Sequence, residues 1–251
     1  MERKLIVMVA LLGLCLLAPN AVLAQGSDNF DSYTAGAVIP AGNGWVGWGG
    51  AAAMNGIVTA GPANSQPNSL AVVGGAGTDQ VLEFGYGPKT GQWFFSAMTY
   101  VPSAGKAGEQ YFNLQNKFDQ VNTPNVFQWS NVEVHWMMTN DDANQADTVY
   151  LGSMADGRLP IQYDAWVEVS ADIDLDANSV EVFYGGTSLG ATTWSKGAEA
   201  VHGIDVMDIF PISNDASVMY YDDISLTPEP ATLAMLGVGG LMMLRRRRRK
   251  A

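Results

Sequence analysis

An all-β protein, folded as a two-sheet antiparallel sandwich with a helix at either end of the chain, is what the sequence predicts, on three observations. Between the two ends, apolar residues fall in short alternating or continuous runs, and glycine, proline, asparagine and aspartate separate those runs. No stretch there keeps a helical period for long. Ten such runs fit within roughly two hundred residues, which suits two packed sheets. The expected layout is a signal peptide over 1–24, one acidic sandwich domain over 25–227 and a tail over 228–251 that holds a short transmembrane helix. With 251 residues, 47% of them apolar and 10% aromatic, the chain can fill such a core.

The first element is for export. Arg3 and Lys4 precede an uninterrupted apolar run over 5–17, then Pro19 and Asn20, then Val22, Leu23 and Ala24. A basic start, an apolar stretch of signal length and a small residue before Gln25 place the cut between Ala24 and Gln25. The run is short for a membrane span and is followed at once by helix breakers. Cys15, the only cysteine, lies inside it, so the exported part has no thiol and its stability must come from packing. Leu14 stands where a lipidated cysteine needs a small neighbour.

The predicted strands come in order over 69–73, 80–84, 92–101, 110–114, 126–135, 148–151, 166–175, 180–184, 204–210 and 218–226. The clearest unit is a hairpin. Trp166, Val167 and Val169 open it, Ile173 and Leu175 alternate with Asp172 and Asp174, residues 176–179 turn, and Val180, Val182 and Tyr184 return before Gly185 and Gly186. Pro62, Pro67 and Pro124 punctuate loops, and no repeat divides the domain.

The last element joins Pro228, Glu229 and Pro230 to an apolar run over 231–244 and then to Arg245, Arg246, Arg247, Arg248, Arg249 and Lys250. Fourteen helical residues span only ~21 Å against a hydrocarbon core of ~30 Å, a marginal anchor. The arginines can snorkel to the headgroups and favour the cytoplasmic side, which orients the domain outward. Pro-Glu-Pro, a glycine-containing apolar run and an arginine cluster, in that order, resemble the PEP-CTERM sorting signal of Gram-negative bacteria. The resemblance implies recognition by an exosortase-type processing protease, passage through the inner membrane as a single-pass precursor, cleavage near Pro-Glu-Pro, and release or attachment at the cell surface or in a biofilm matrix. It says nothing about what the domain does.

Charge narrows the partners. Eight of the 13 lysines and arginines lie in the end segments, against two of the 25 acids, so the middle carries 5 basic residues against 23 acidic ones. Such a polyanion repels phosphate backbones, and nucleic acid is excluded as a partner. An extracellular polysaccharide or a surface protein remains.

Three segments together, Asn29 to Tyr33, the hairpin from Trp166, and the closing run from Tyr220 to Leu226, resemble the concanavalin A-like, laminin-G-like jelly rolls. That resemblance implies pairing of the first and last strands, with Phe30 near Ile224. The fold hosts lectins, adhesion modules and glucanases alike. Trp45 and Trp48 sit in a glycine-rich segment that could expose both rings to a sugar, although packing is the commoner fate of such rings, whereas Trp93, Trp129, Trp136 and Trp166 lie in apolar strands and read as core. Asp141, Asp142, Asn144 and Asp147 share a loop where their oxygens could converge on Ca²⁺, or could simply be solvated. The series Asp172, Asp174, Asp176, Asn178 fails as a calcium loop, since Ala177 and Phe183 stand where glycine and glutamate are required.

No catalytic residue is assigned. The E-x-D-x-x-E strand of related glucanases is absent, and His135 and His202 belong to no hydrolase or metal motif and read as structural or surface residues. No cofactor is called for beyond the Ca²⁺ alternative. The expectation is a matrix or surface protein that is not an enzyme and whose sandwich binds a glycan or a protein; the alternative is a polysaccharide-degrading hydrolase with an atypical carboxylate pair.

Overall fold

A computed structural model describes residues 26–39, 42–75, 77–85, 87–119, 127–140, 145–152, 157–197, 203–212 and 215–229. The signal segment with its cut at Ala24 and Gln25, and the tail from Pro230 through Arg249, lie outside the described residues.

The strands are β1 (Gly26–Asp28), β2 (Trp45–Gly47), β3 (Ile57–Thr59), β4 (Ser69–Val72), β5 (Gln80–Glu83), β6 (Gln92–Tyr100), β7 (Glu109–Phe118), β8 (Phe127–Met137), β9 (Thr148–Leu151), β10 (Leu159–Pro160), β11 (Trp166–Asp174), β12 (Ser179–Tyr184), β13 (Thr187–Thr193), β14 (Val206–Pro211) and β15 (Met219–Pro228). One sheet runs β13-β12-β11-β6-β15-β4-β3, with β1 also on β15, and the other runs β10-β9-β8-β7-β14-β5-β2. Every ladder between named strands is antiparallel. The expected two-sheet sandwich is the observed fold.

Alternation puts the core between the sheets. Trp93, Phe95 and Ala97 of β6 face Phe112 and Leu114 of β7 and Val132, Val134 and Trp136 of β8, all buried. Phe95 lies 6.5 Å from Phe84 and 5.3 Å from Phe112, joining the two layers. All ten expected strands form. Five more were not foreseen, because β1, β2, β3 and β10 have only two or three residues and β13 is polar with a central glycine.

The first and last strands do pair, with Asp28 opposite Ile224. Asp28 also anchors the segment after β1: Oδ1 accepts the Phe30 amide at 2.8 Å, and Oδ2 accepts the Tyr33 hydroxyl and the Trp45 indole N–H, each at 2.7 Å. In β15 a register shift between Asp222 and Ser225 turns Asp222 inward, where it takes the Asn64 and Ser65 amides at 2.7 and 3.0 Å. β15 continues through Pro228, opposite Trp93, and the Glu229 amide donates to the Gln92 carbonyl at 2.9 Å. The sandwich thus runs past the boundary expected at Thr227, and the first two residues of the Pro-Glu-Pro motif are held on the sheet.

Candidate functional site

β7 sends Phe112 and Leu114 into the core, so Glu109, Tyr111, Asn113 and Gln115 face the other way. The same rule puts Glu133 and His135 of β8, Tyr150 of β9, and Asp208 and Phe210 of β14 on that outer face of the seven-stranded sheet. Rings line it end to end. Trp48 meets Phe118 and Phe127 edge-on at 5.5 and 5.3 Å, Phe127 lies 6.4 Å from Trp129, and Trp129 lies 5.7 Å from Tyr111. Tyr111 touches Phe210 at 4.9 Å and His135 at 4.4 Å; His135 stacks on Tyr150 at 4.7 Å, and the Arg158 guanidinium covers Tyr150 at 3.9 Å. Phe127 is 40% exposed, and Trp48, Trp129, His135 and Tyr150 are half-buried.

Acids sit among the rings. Glu109 Oε1 meets His135 Nδ1 at 2.5 Å and accepts the Tyr150 hydroxyl at 3.1 Å. Glu133 Oε1 accepts from Lys196, whose ammonium lies 5.2 Å over the Trp129 ring. Burial raises the Tyr150 hydroxyl to about 12, with Glu109 adding to it, and burial and the Glu133 charge raise Tyr111 as well. Deeper on the same face, Asp208 is 1% exposed and its Oδ2 accepts the side-chain amides of Asn113 and Gln115, both at 3.2 Å. Burial, with Asp79 beside it, drives Asp208 well above the carboxylate range, and burial pushes Asp79 up to about 6.

No protein-family model and no curated protein matches this chain. Solved structures do. The catalytic domain of a glycoside hydrolase family 131 protein from Coprinopsis cinerea is similar with a TM-score of 0.51 and 12% identity, over 82% of this chain and 95% of that one. Alginate lyase Aly36B is similar with a TM-score of 0.51 and 13% identity, over 81% of this chain and 96% of that one. A sialidase matches at a TM-score of 0.49 and 8% identity, and there the chain spans only 19% of the other's length. The fold is a jelly roll. At these identities the likeness establishes the fold alone, but it is a fold that is catalytic in a hydrolase and a lyase. The expectation that the chain is not an enzyme, drawn from missing motifs, is corrected on that ground.

Several expected site residues need revising. Trp45 is fully buried with its N–H on Asp28, so its ring is not available to a sugar. Trp48 is half-exposed on the ring-lined face. Trp129 and Trp166 are not core residues: the first belongs to that face, and the second packs on Tyr100 at 5.5 Å on the other sheet. Asp141, Asp142 and Asn144 fall outside the described residues, while Asp147 is engaged by Lys106 and by the Tyr163 hydroxyl at 2.7 Å, which hold its carboxyl below the usual range. Among the described residues no group of three or more acids, histidines or cysteines is placed to hold a metal, and no helix is long and apolar enough to cross a membrane. His135, read from sequence as a structural or surface residue, sits at the centre of the face. Its signal was the outward phase of β8, where Trp129, Glu133 and His135 share a parity opposite to Val132, Val134 and Trp136.

Proposed function

We propose that this is an exported glycan-recognition protein whose ligand lies along the outer face of the seven-stranded sheet. The observation that carries the reading is the set of solvent-reaching rings on that face, Trp48, Phe127, Trp129 and Tyr150, linked through the buried Tyr111 and interleaved with carboxylates. Flat ring faces suit the apolar faces of sugars, and polar groups between them suit hydroxyls. Affinity electrophoresis of the full chain in native gels containing neutral polysaccharides tests it. Wild type is retarded, and Trp129→Ala and Phe127→Ala weaken retardation by roughly tenfold each, about 1.4 kcal/mol; unchanged retardation in both variants refutes the face as the site.

The route to that ligand is part of the same reading. A signal peptide, a Pro-Glu-Pro segment, a short apolar run and five arginines support export through the inner membrane, processing by an exosortase-type protease, and residence at the surface or in the matrix. A periplasm-active reporter fused after Thr227 should be active; a reporter that behaves as cytosolic refutes the topology.

A further inference from the structure

Glu133 and His135 are two residues apart on β8, so both side chains leave the sheet on the same face. Gly152, just after β9, lies beside them. A Cβ built there would come 2.9 Å from His135 Nε2 and 3.3 Å from Glu133 Oε2. Two atoms so near one point are no more than about 6 Å apart, against about 5–5.5 Å between the acid and the nucleophile of a retaining glycosidase. The other ends of both side chains are committed, Nδ1 of His135 to Glu109 at 2.5 Å and Oε1 of Glu133 to Lys196. The ends turned toward Gly152 are therefore Nε2 and Oε2, and they converge where a glycine leaves room.

The geometry points to a glycoside-cleaving site in which Glu133 is the nucleophile and His135 the general acid and base, acting on a neutral polysaccharide. It rests on the reading of the outer face as the glycan surface. In the first half-reaction the imidazolium of His135 gives its Nε2 proton to the glycosidic oxygen as the bond from that oxygen to C1 breaks, and Glu133 Oε2 bonds to C1. In the second, Nε2 takes a proton from water, the water oxygen bonds to C1, and the ester to Glu133 breaks, restoring carboxylate and imidazolium. One water is consumed, one glycosidic bond is cleaved, and the anomeric configuration is retained. Glu109 is a positioning residue, holding the imidazole through Nδ1.

Charge selects the substrate class. At the pair itself no carboxylate stands unmatched, since Glu133 is met by Lys196 and Glu109 by His135 and the Tyr150 hydroxyl, while the Arg158 guanidinium lies over the Tyr150 ring and reaches the Thr148 hydroxyl at 3.1 Å. The selection comes instead from the domain as a whole, whose 5 basic residues against 23 acidic ones repel a polyuronate at long range and leave a neutral chain unaffected.

The test uses the full chain with laminarin, xyloglucan, galactomannan and dextran as probes, scoring reducing ends, the anomer first formed by proton NMR, and retardation in gels of the same polymers. Wild type cleaves at least one of them with retention. Glu133→Gln and His135→Ala each lower kcat at least ~100-fold, far more than either weakens retardation, and azide restores turnover to Glu133→Ala as a glycosyl azide. Glu109→Gln lowers kcat and shifts the pH profile, a change that loss of fold alone would not produce. Gly152→Ala, a loop variant that spares both side chains, blocks turnover by crowding Nε2 and Oε2. Retardation of wild type without bond cleavage overturns the catalytic site and leaves the glycan surface standing, whereas neither retardation nor cleavage overturns both. Cleavage undiminished in Glu133→Gln and His135→Ala overturns the assignment of residues.

Discussion

Asp208→Asn tests the deepest electrostatic feature of the ring-lined face. In the wild type two buried carboxyls, Asp208 on β14 and Asp79 just before β5, lie together, and Oδ1 of each lacks a hydrogen-bond partner among the described residues. A proton shared between them satisfies both. An acid whose folded value is raised holds a proton that the unfolded chain has already lost, so stability falls as pH rises from about 4 through that raised value. For Asp79, moved from 3.8 to about 6, the loss is at most about 3 kcal/mol at 1.36 kcal/mol per unit, and Asp208, shifted in the same direction, extends it to higher pH. The asparagine keeps the shape, supplies Asp79 with an N–H donor and leaves Asn113 and Gln115 an oxygen to bond. The variant should match wild type at pH 5 and exceed it at pH 8 by about 1–3 kcal/mol, or roughly 2–4 °C per kcal/mol. Urea denaturation at pH 5, 6.5 and 8, followed by tryptophan fluorescence, reads this as a change in midpoint at constant m. Asp222, raised to about 6 by burial, leaves a residual slope of the same sign in both proteins. A fall in stability from pH 5 to pH 8 that is as large in the variant as in wild type would refute the shared-proton pair.

Contacts elsewhere set three further outcomes. Phe95→Ala empties the junction between the sheets, where Phe84 and Phe112 meet it, and should cost about 3–5 kcal/mol by chemical denaturation. Asp28→Ala strands the Tyr33 hydroxyl, the buried Trp45 N–H and the Phe30 amide at once, so a loss of about 3 kcal/mol in the same assay is expected, with Asp28→Asn losing less. Ser130→Ala removes a hydroxyl that donates to the Leu114 carbonyl at 2.7 Å and accepts the Val132 amide at 3.0 Å; it should cost about 1–2 kcal/mol and weaken polysaccharide retardation as well.

The sandwich was legible because the long strands carry their burial in their own alternation. β6 reads Trp93, Phe95, Ala97 inward and Gln92, Phe94, Ser96 outward with no knowledge of its neighbours, and the β11–β12 hairpin does the same. The short strands carry no such record. Gly26–Asp28 becomes a strand because β15 offers it an edge, and nothing within three residues announces that. The candidate site was illegible for a related reason. Tyr111, His135 and Tyr150 each belong to a different strand, and their proximity depends on register between β7, β8 and β9, which is set by the whole sheet rather than by any one run. Trp45 took the commoner of the two fates its glycine-rich setting allowed, packing rather than exposure, because a single carboxylate, Asp28, satisfies its N–H and lets the ring go inside.

Register also explains how aromatic and acidic residues come to share one part of the face. In the β7–β8 ladder Asn113 opposes Glu133, yet Gln115, two residues on, opposes Trp129, four residues back. Residues 130–132 therefore bulge, which draws Trp129 about 7 Å closer along the sheet to Tyr111 and Glu133 than strict pairing would allow. Ser130 closes the bulge through its hydroxyl, and Asn131 ties it down by giving its amide to the Trp194 carbonyl at 2.9 Å and its side chain to Thr193 and Ser195. Those same partners precede Lys196, the cation that holds Glu133 and covers Trp129. One local irregularity thus sets the aromatic platform, the carboxylate and its cation together, and the ladder hydrogen bonds it gives up are replaced by side-chain bonds from Ser130 and Asn131.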